Sequence, residues 1–288
     1  MAQTTVIKRR IKAVTNTRQI TKAMEMVAAS KMRRAQENAL RTRDFYKLAC
    51  QILTRLSELT DVSRHPLFRR RELKTHLYLL ISSDRGLAGA YNSNLLRRFT
   101  TEVMEDKKNH VTSQVIVVGK QGSRITARLK DIEVLAAYHD FPDHPDANDI
   151  RPILNTLLEK FIGKEAQLVD VIFTNYVSSI NQIVEVSTLL PVAFQEEKLS
   201  IDLENALFEP SPQAVLNNVT ERLVEAQLGQ MFLESSASEH SMRMLAMKNA
   251  TDNATDLIDD LTLSFNTARQ ASITQELAEI TGGAEAIK

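Results

Sequence analysis

Three stretches of the chain hold residue types that could do chemistry. Ser82–Gly89 (SSDRGLAG) follows a short apolar run, and its small residues could let backbone N–H groups wrap a phosphate at the next helix N-terminus. Gly119-Lys120-Gln121-Gly122-Ser123 places glycine and lysine after a second apolar run. Neither keeps the order G-x-G-x-x-G or G-x-x-x-x-G-K-[ST], so tight turns after strands are favoured over nucleotide binding. The third stretch gathers His139, Asp140, Asp143, His144, Asp146 and Asp149, donors that a cation could use. Pro142 and Pro145 interrupt it and no recognised ligand spacing is met, so a solvated acidic loop is expected instead. Cys50 has no Cys/His pattern around it and suits a small packed residue better than a nucleophile. The other histidines, His65, His76, His110 and His240, are scattered. A non-catalytic chain, without cofactor or metal, is the expectation.

Charge offers a further function to weigh. The formal net charge is zero, yet residues 1–74 hold 18 Lys/Arg against 6 Asp/Glu. Residues 75–212 hold 13 against 19, and residues 213–288 hold 5 against 11. A basic first arm could neutralise nucleic-acid phosphates. Its charges interrupt an apolar pattern with little aromatic interleaving, so a solvated face partly balanced by the acidic second arm is favoured.

The elements that carry these residues follow from composition and helix breakers. The 288 residues are 43% hydrophobic and 25% charged, an ordinary globular mix that excludes disorder and collagen-like repeats. Aromatics are 5% and Trp is absent, which argues against base-stacking platforms. No apolar run reaches the roughly 18 residues of a membrane span. The basic N-terminus lacks the apolar stretch of a signal peptide, and a single cysteine gives no internal disulfide. An intracellular protein without a transit peptide is expected.

All seven prolines lie between Pro66 and Pro212, and the first glycine is Gly86. Residues 4–59 and 213–281 are therefore two arms without strong breakers. As single helices they would run roughly 80 and 100 Å at 1.5 Å per residue, far beyond a compact globule. A coiled coil is implied. In the first arm a 4-3 ladder runs Ile7, Ile11, Val14, Arg18, Thr21, Glu25, Ala28, Met32, Ala35, Ala39, Thr42, Tyr46, Ala49, Leu53, Leu56. The second arm offers Leu216, Val219 and Leu223, then Ala250, Ala254, Leu257, Leu261, Phe265 and Ala268, around a polar centre at 235–241.

Both arms join one middle domain, so they should fold back as an antiparallel pair. Their junctions near Leu59 and Gln213 set paired positions that sum to about 272. Residues from about Arg269 onward then lack a partner, and Ile273, Leu277 and Ile280 make an apolar stripe on that overhang. An exposed apolar helix tip needs a sleeve from another protein.

The middle reads as α/β. His76–Ser83, Gln114–Gly119 and Leu168–Asn175 are apolar, β-branched runs, and Ser93–Glu105, Gln121–Lys130 and Asp149–Gly163 between or beside them look helical. This alternation predicts a mainly parallel sheet, with Ile183–Leu190 added antiparallel at an edge. The expected division is a first coiled-coil helix at 1–60, an α/β domain at 75–205, and a second coiled-coil helix at 213–288.

Asn16–Met32 (NTRQITKAMEMVAASKM) and Ala268–Ile280 (ARQASITQELAEI) closely resemble the signature ends of the γ-subunit family of F-type ATP synthases. Met244–Asn253 (MLAMKNATDN) and Ser82–Asn92 (SSDRGLAGAYN) resemble that family too, in the same order along the chain. Residues 107–211 are less distinctive. The family often has Cys where this chain has Ala88, and photosynthetic relatives carry an inserted cysteine pair that Cys50 alone cannot supply.

The resemblance implies a rotor: two terminal helices in an antiparallel coiled coil, inside a hexamer of α and β subunits, with an α/β domain against ε and the c ring. ATP chemistry would occur in the β subunits, and the complex would sit on the cytoplasmic face of a bacterial inner membrane. By the family pattern Arg269 and Gln270 would hydrogen-bond a β-subunit loop. Lys22, Met24 and Lys31, with Arg243 and Lys248, would face an acidic β lever. Ile273, Leu277 and Ile280 would sit in an apolar bearing.

Overall fold

The computed structural model describes residues 2–129, 132–193 and 208–285, without side-chain detail at 2–3, 41–47, 63 and 283–285. Thr42 and Tyr46 of the expected ladder, Lys130 at the end of an expected helix, and residue 205 at the expected domain end lie outside that description. The chain forms two compact units, a terminal unit of Met1–Ala28 with Arg243–Lys288 and a body of Ala29–Met242. Two helices run through both: α1 (Ala2–Leu59) and α5 (Pro212–Glu285). The second begins where Ser211 Oγ accepts from Ala214 N at 3.2 Å and Pro212 takes the first helical position, which needs no N–H donor.

In the terminal unit the seam of α1 follows the expected ladder. Ile7, Ile11, Val14, Arg18, Thr21, Glu25 and Ala28 are its buried or half-buried positions. On α5 the inward positions are Met247, Thr251, Ala254, Ile258, Leu261, Phe265 and Ala268, a regular 4-3 spacing. The expected rung Leu257 is exposed instead, and Ile258 takes its place. The hydroxyl of Thr251 donates to that of Thr21 at 2.8 Å, so paired positions sum to 272 as the junctions demanded. Since α1 starts at Ala2, partners end near residue 270. About fifteen residues of α5, roughly 22 Å, continue without a facing stretch of α1 among the described residues.

The body is an α/β layer structure. Its elements are β1 (Thr75–Ile81), α2 (Tyr91–Lys108), β2 (Thr112–Val118), α3 (Lys120–Thr126), β3 (Glu133–Tyr138), α4 (Ala147–Ile162), β4 (Leu168–Tyr176) and β5 (Gln182–Leu190). The sheet order is β3-β2-β1-β4-β5, with β5 alone antiparallel. The apolar continuity of β1 and β2 reflects burial on both faces. Leu77, Leu79, Ile116 and Val171 pack on one face with α4 and with Leu53, Leu56, Leu223 and Leu228 of the long helices. Tyr78, Leu80, Val115 and Ile172 pack on the other with Leu95, Phe99 and Val103 of α2. Strand β3 was not expected. It is a six-residue edge strand with no buried position, so its sequence carries little of the hydrophobic signal that marks the others.

Candidate partner-contact surface

In a doubly wound sheet a ligand would bind beyond the carboxyl ends of the strands, where the order reverses between β1 and β4. Here that place is filled from within the body. Tyr91 at the start of α2 donates to Ile81 O at 3.2 Å and shares a 2.7 Å hydrogen bond with Ser235 of α5. Ser238 donates to Thr174 O at 2.9 Å, and Ser241 to Ser179 O at 2.8 Å. The polar centre of the second arm is thus the strip of α5 that satisfies strand and loop carbonyls. It looked like a weak coiled-coil stretch because its partners are polar groups of the sheet, the loops and α2.

The two glycine-containing loops are likewise occupied. Asp84 of the first loop accepts from Lys120 N at 3.0 Å, taking a backbone donor of the second, and from Phe141 N at 3.1 Å. Ser82 Oγ accepts from Gly122 N at 2.9 Å and donates to Val118 O at 2.7 Å. Gly119 has φ 96°, and a Cβ there would lie 2.3 Å from Ser82 O, so only glycine fits.

The acidic loop is not simply solvated, which corrects the sequence reading. Asp143 is half-buried and accepts from Lys31 Nζ of α1 at 2.5 Å, with His240 Nε2 of α5 3.1 Å away. Ser236 donates to Asp143 O at 2.9 Å, and Phe141 stacks on Phe232 at 4.7 Å. The hydrogen bond from His240, with that from Lys31, holds the Asp143 carboxyl well below its ordinary range despite burial. Asp140 pairs with Lys120, and Asp146 and Asp149 form the capping box of α4. The proline-broken spacing carried nothing of the Asp143 contacts, since Lys31, Ser236 and His240 are each more than 90 residues away in sequence. Among the described residues no group of three His, Cys, Asp or Glu side chains could hold a metal.

The residues expected to meet partners divide between the two units. In the terminal unit, Lys248, Arg269 and Gln270 are exposed, and Met24 is half-buried on the seam side. Lys22 is exposed and pairs with Glu25 at 3.0 Å. Ile273, Leu277 and Ile280 are 49%, 58% and 68% exposed, a bare apolar stripe. Arg243 departs from the expected surface position: it is 8% exposed and engaged within the chain. Lys31 belongs to the body and is committed to Asp143.

Sequence reasoning missed a second stripe on α1. Val6, Ala13, Ile20 and Val27 recur every seven residues, one position before the rungs Ile7, Val14, Thr21 and Ala28, and all four are exposed. That spacing was visible, but the neighbouring ladder absorbed it. Lys8, Arg9, Arg10 and Lys12 are exposed on the same helix, while Asp252, Asp256, Asp259 and Asp260 are exposed on α5. Among the described residues these four basic side chains form no close ion pair with α5, and both sets of charges stand on exposed faces. The surface of the terminal unit keeps both apolar stripes and unspent charge.

Comparison with known proteins bears on that surface. A family model described as ATP synthase matches residues 3–287. The chain is 39% identical to the ATP synthase gamma chain of Moorella thermoacetica over 288 residues, covering all of both chains. It is 40% identical to that of Dehalococcoides mccartyi strain BAV1 over 289 residues, again covering both fully. Among solved structures it resembles a chain from the Euglena gracilis mitochondrial ATP synthase (OSCP/F1/c-ring, rotational state 3). The TM-score is 0.68 at 19% identity, covering 99% of this chain and 95% of that one. A chain from the central stalk and c ring of the Tetrahymena thermophila enzyme gives 0.63 at 24% identity, covering 80% and 99%.

Proposed function

Because this chain belongs to the family of ATP synthase γ chains, we propose that it is the rotating central-stalk shaft of an F-type ATP synthase. In this reading it performs no chemistry. Its terminal unit lies within the hexamer of α and β subunits, and its body meets the ε subunit and the c ring. The complex occupies the cytoplasmic face of a bacterial inner membrane. No helix among the described residues is long and apolar enough to cross a membrane, so membrane association in this reading comes through the partners.

The observation that carries the reading is the register of the terminal unit. Pairing at Thr21–Thr251 exhausts α1 near residue 270, while α5 continues to Glu285 with Ile273, Leu277 and Ile280 bare. A bare apolar stripe on an unpaired helix marks a surface for another protein. Arg269 and Gln270 stand at its entrance, placed for polar contact with a sleeve loop, and Lys22 and Lys248 add positive charge below it. The asymmetry matters mechanically. One helix ends while the other continues, and acidic and basic faces differ, so each angular position presents a different surface to three β subunits. A partner with two conformations is biased by such differential contacts alone.

The non-catalytic part of the reading is supported by the filled crevice. Asp84 occupies the Lys120 backbone donor, and the serines of α5 reach Tyr91 and a β4 carbonyl at the strand ends. Purified α and β subunits, assayed for ATP hydrolysis with and without this chain, test the proposal. A large rise in turnover on adding a chain inactive by itself supports it. No rise with competent α and β from the same source removes it.

A further inference from the structure

Away from the terminal unit, the body buries five polar side chains together. His76 and Tyr78 stand two apart on β1 and so point to the same face of the sheet, the one covered by α2. Asp170 comes from the neighbouring β4, Ser113 from β2 and Asp106 from α2. The imidazole Nδ1 lies 3.2 Å from Asp106 Oδ1, and Nε2 lies 3.0 Å from Asp170 Oδ2. The second oxygen of Asp106 accepts from Tyr78 at 2.7 Å and from Ser113 at 2.9 Å. All five residues are buried, and among the described residues Asp170 Oδ1 has no hydrogen-bond partner. Glu102 of α2 adds further negative potential at Tyr78, while β5 places uncharged Thr188 opposite Asp170.

The geometry fixes a proton count. An ionised carboxylate only accepts hydrogen bonds, and a neutral imidazole has one N–H and one lone pair. A ring with a carboxylate at each nitrogen needs either a second N–H or a protonated carboxyl group. In both cases the trio Asp106, His76 and Asp170 holds one proton that separated neutral imidazole and carboxylates would not. Without it, two buried negative charges face each other across a ring that satisfies only one of them, and that loss is costly. Sequence alone gave no hint beyond a histidine inside an apolar strand, where burial requires polar partners from elsewhere.

We propose that Asp106–His76–Asp170 is a proton-dependent clamp that fastens α2 and β4 to the central strand at neutral pH and releases as the solution becomes alkaline. The proposal concerns this chain itself and does not rest on its role as a shaft. Burial acts to lower the imidazole pKa, but the hydrogen bonds and charges of Asp170 and Asp106 outweigh it, and the pKa lies above its ordinary 6.5. Burial and the Asp106 hydrogen bond push the Tyr78 phenol up, keeping it a neutral donor. A group whose folded pKa is raised contributes its full stability below the unfolded value. That contribution fades as pH rises from 6.5 through the folded pKa.

Two measurements on the full chain test this. Nitrogen NMR of the histidine-labelled chain at pH 7.5 should show His76 with both ring nitrogens protonated, or strongly hydrogen-bonded to a shared proton, and no titration near pH 6.5. Urea unfolding between pH 6 and 9.5 should show the unfolding equilibrium constant rising by up to about tenfold per pH unit relative to His76→Gln, which carries no titrating ring. An ordinary neutral tautomer titrating near pH 6.5 would overturn the clamp, as would parallel pH curves for the two chains. If His76→Gln does not fold, the NMR result on the unaltered chain decides alone.

Discussion

The same two helices are built differently in the two units. In the body they bury Leu53, Leu56, Leu216, Leu223 and Leu228 completely, against α4 and the sheet. In the terminal unit the seam rungs include Arg18, Thr21, Glu25, Thr251 and Ala254, and large apolar residues such as Ile20, Val27, Leu263 and Ile273 are exposed. A fully buried leucine is worth about 1.5–3 kcal/mol, whereas a threonine pair adds on the order of 1 kcal/mol. Folding energy is therefore concentrated in the body, and apolar surface is held in reserve in the terminal unit. One stretch of each helix is spent on the chain's own fold, and the other is left for partners.

The contrast can be broken most sharply in the body. Leu53→Ala or Leu223→Ala should cost about 2–5 kcal/mol of stability, read by urea unfolding of the full chain. A cost below about 1 kcal/mol would show that the body is not the stabilising unit. Asp143→Asn comes next, because it loosens a loop gripping both helices. The group is 38% exposed at its side chain, so about 1 kcal/mol is expected. Its carboxyl is held below the ordinary 3.8, so this contribution is present above that pH and is lost as pH falls through the folded value. The difference between Asp143→Asn and the unaltered chain should accordingly close in strong acid.

Smaller effects belong to the terminal unit. Thr251→Val removes the hydroxyl that reaches Thr21 and should cost less than about 1 kcal/mol, measured by the same unfolding. Ile273→Ser together with Leu277→Ser should leave the chain's own stability within about 0.5 kcal/mol, since both residues are exposed. A larger loss in that pair would mean that the overhang is packed against this chain and is not waiting for a sleeve.

Much of this contrast was legible in the sequence, for physical reasons. The absence of Pro and Gly from 4–59, with a 4-3 ladder, announces a long paired helix because both signals are local. The register was legible because junction positions and antiparallel pairing leave one number to find, and Thr21–Thr251 supplies it. On α5 the rungs slipped from Leu257 to Ile258 because alanine- and threonine-rich turns give several faces similar hydrophobicity. Strand β3 was hidden by its half-exposed edge position. The roles of Asp143, His240 and the serines of α5 were illegible, since each depends on a group brought close only by the fold. Arg243 shows the same limit from the other side: the family pattern set it against a partner, and within this chain the fold buries it.

Removing residues 268–288 tests the central claim most directly, that the end of α5 serves partners and not the chain's own fold. The shortened chain should unfold at the urea concentration of the full chain, because only the last rungs of the seam are lost. Added to purified α and β subunits, it should assemble more weakly and support less ATP hydrolysis than the full chain. Unchanged assembly and hydrolysis, or a marked loss of stability in the chain alone, would contradict the account.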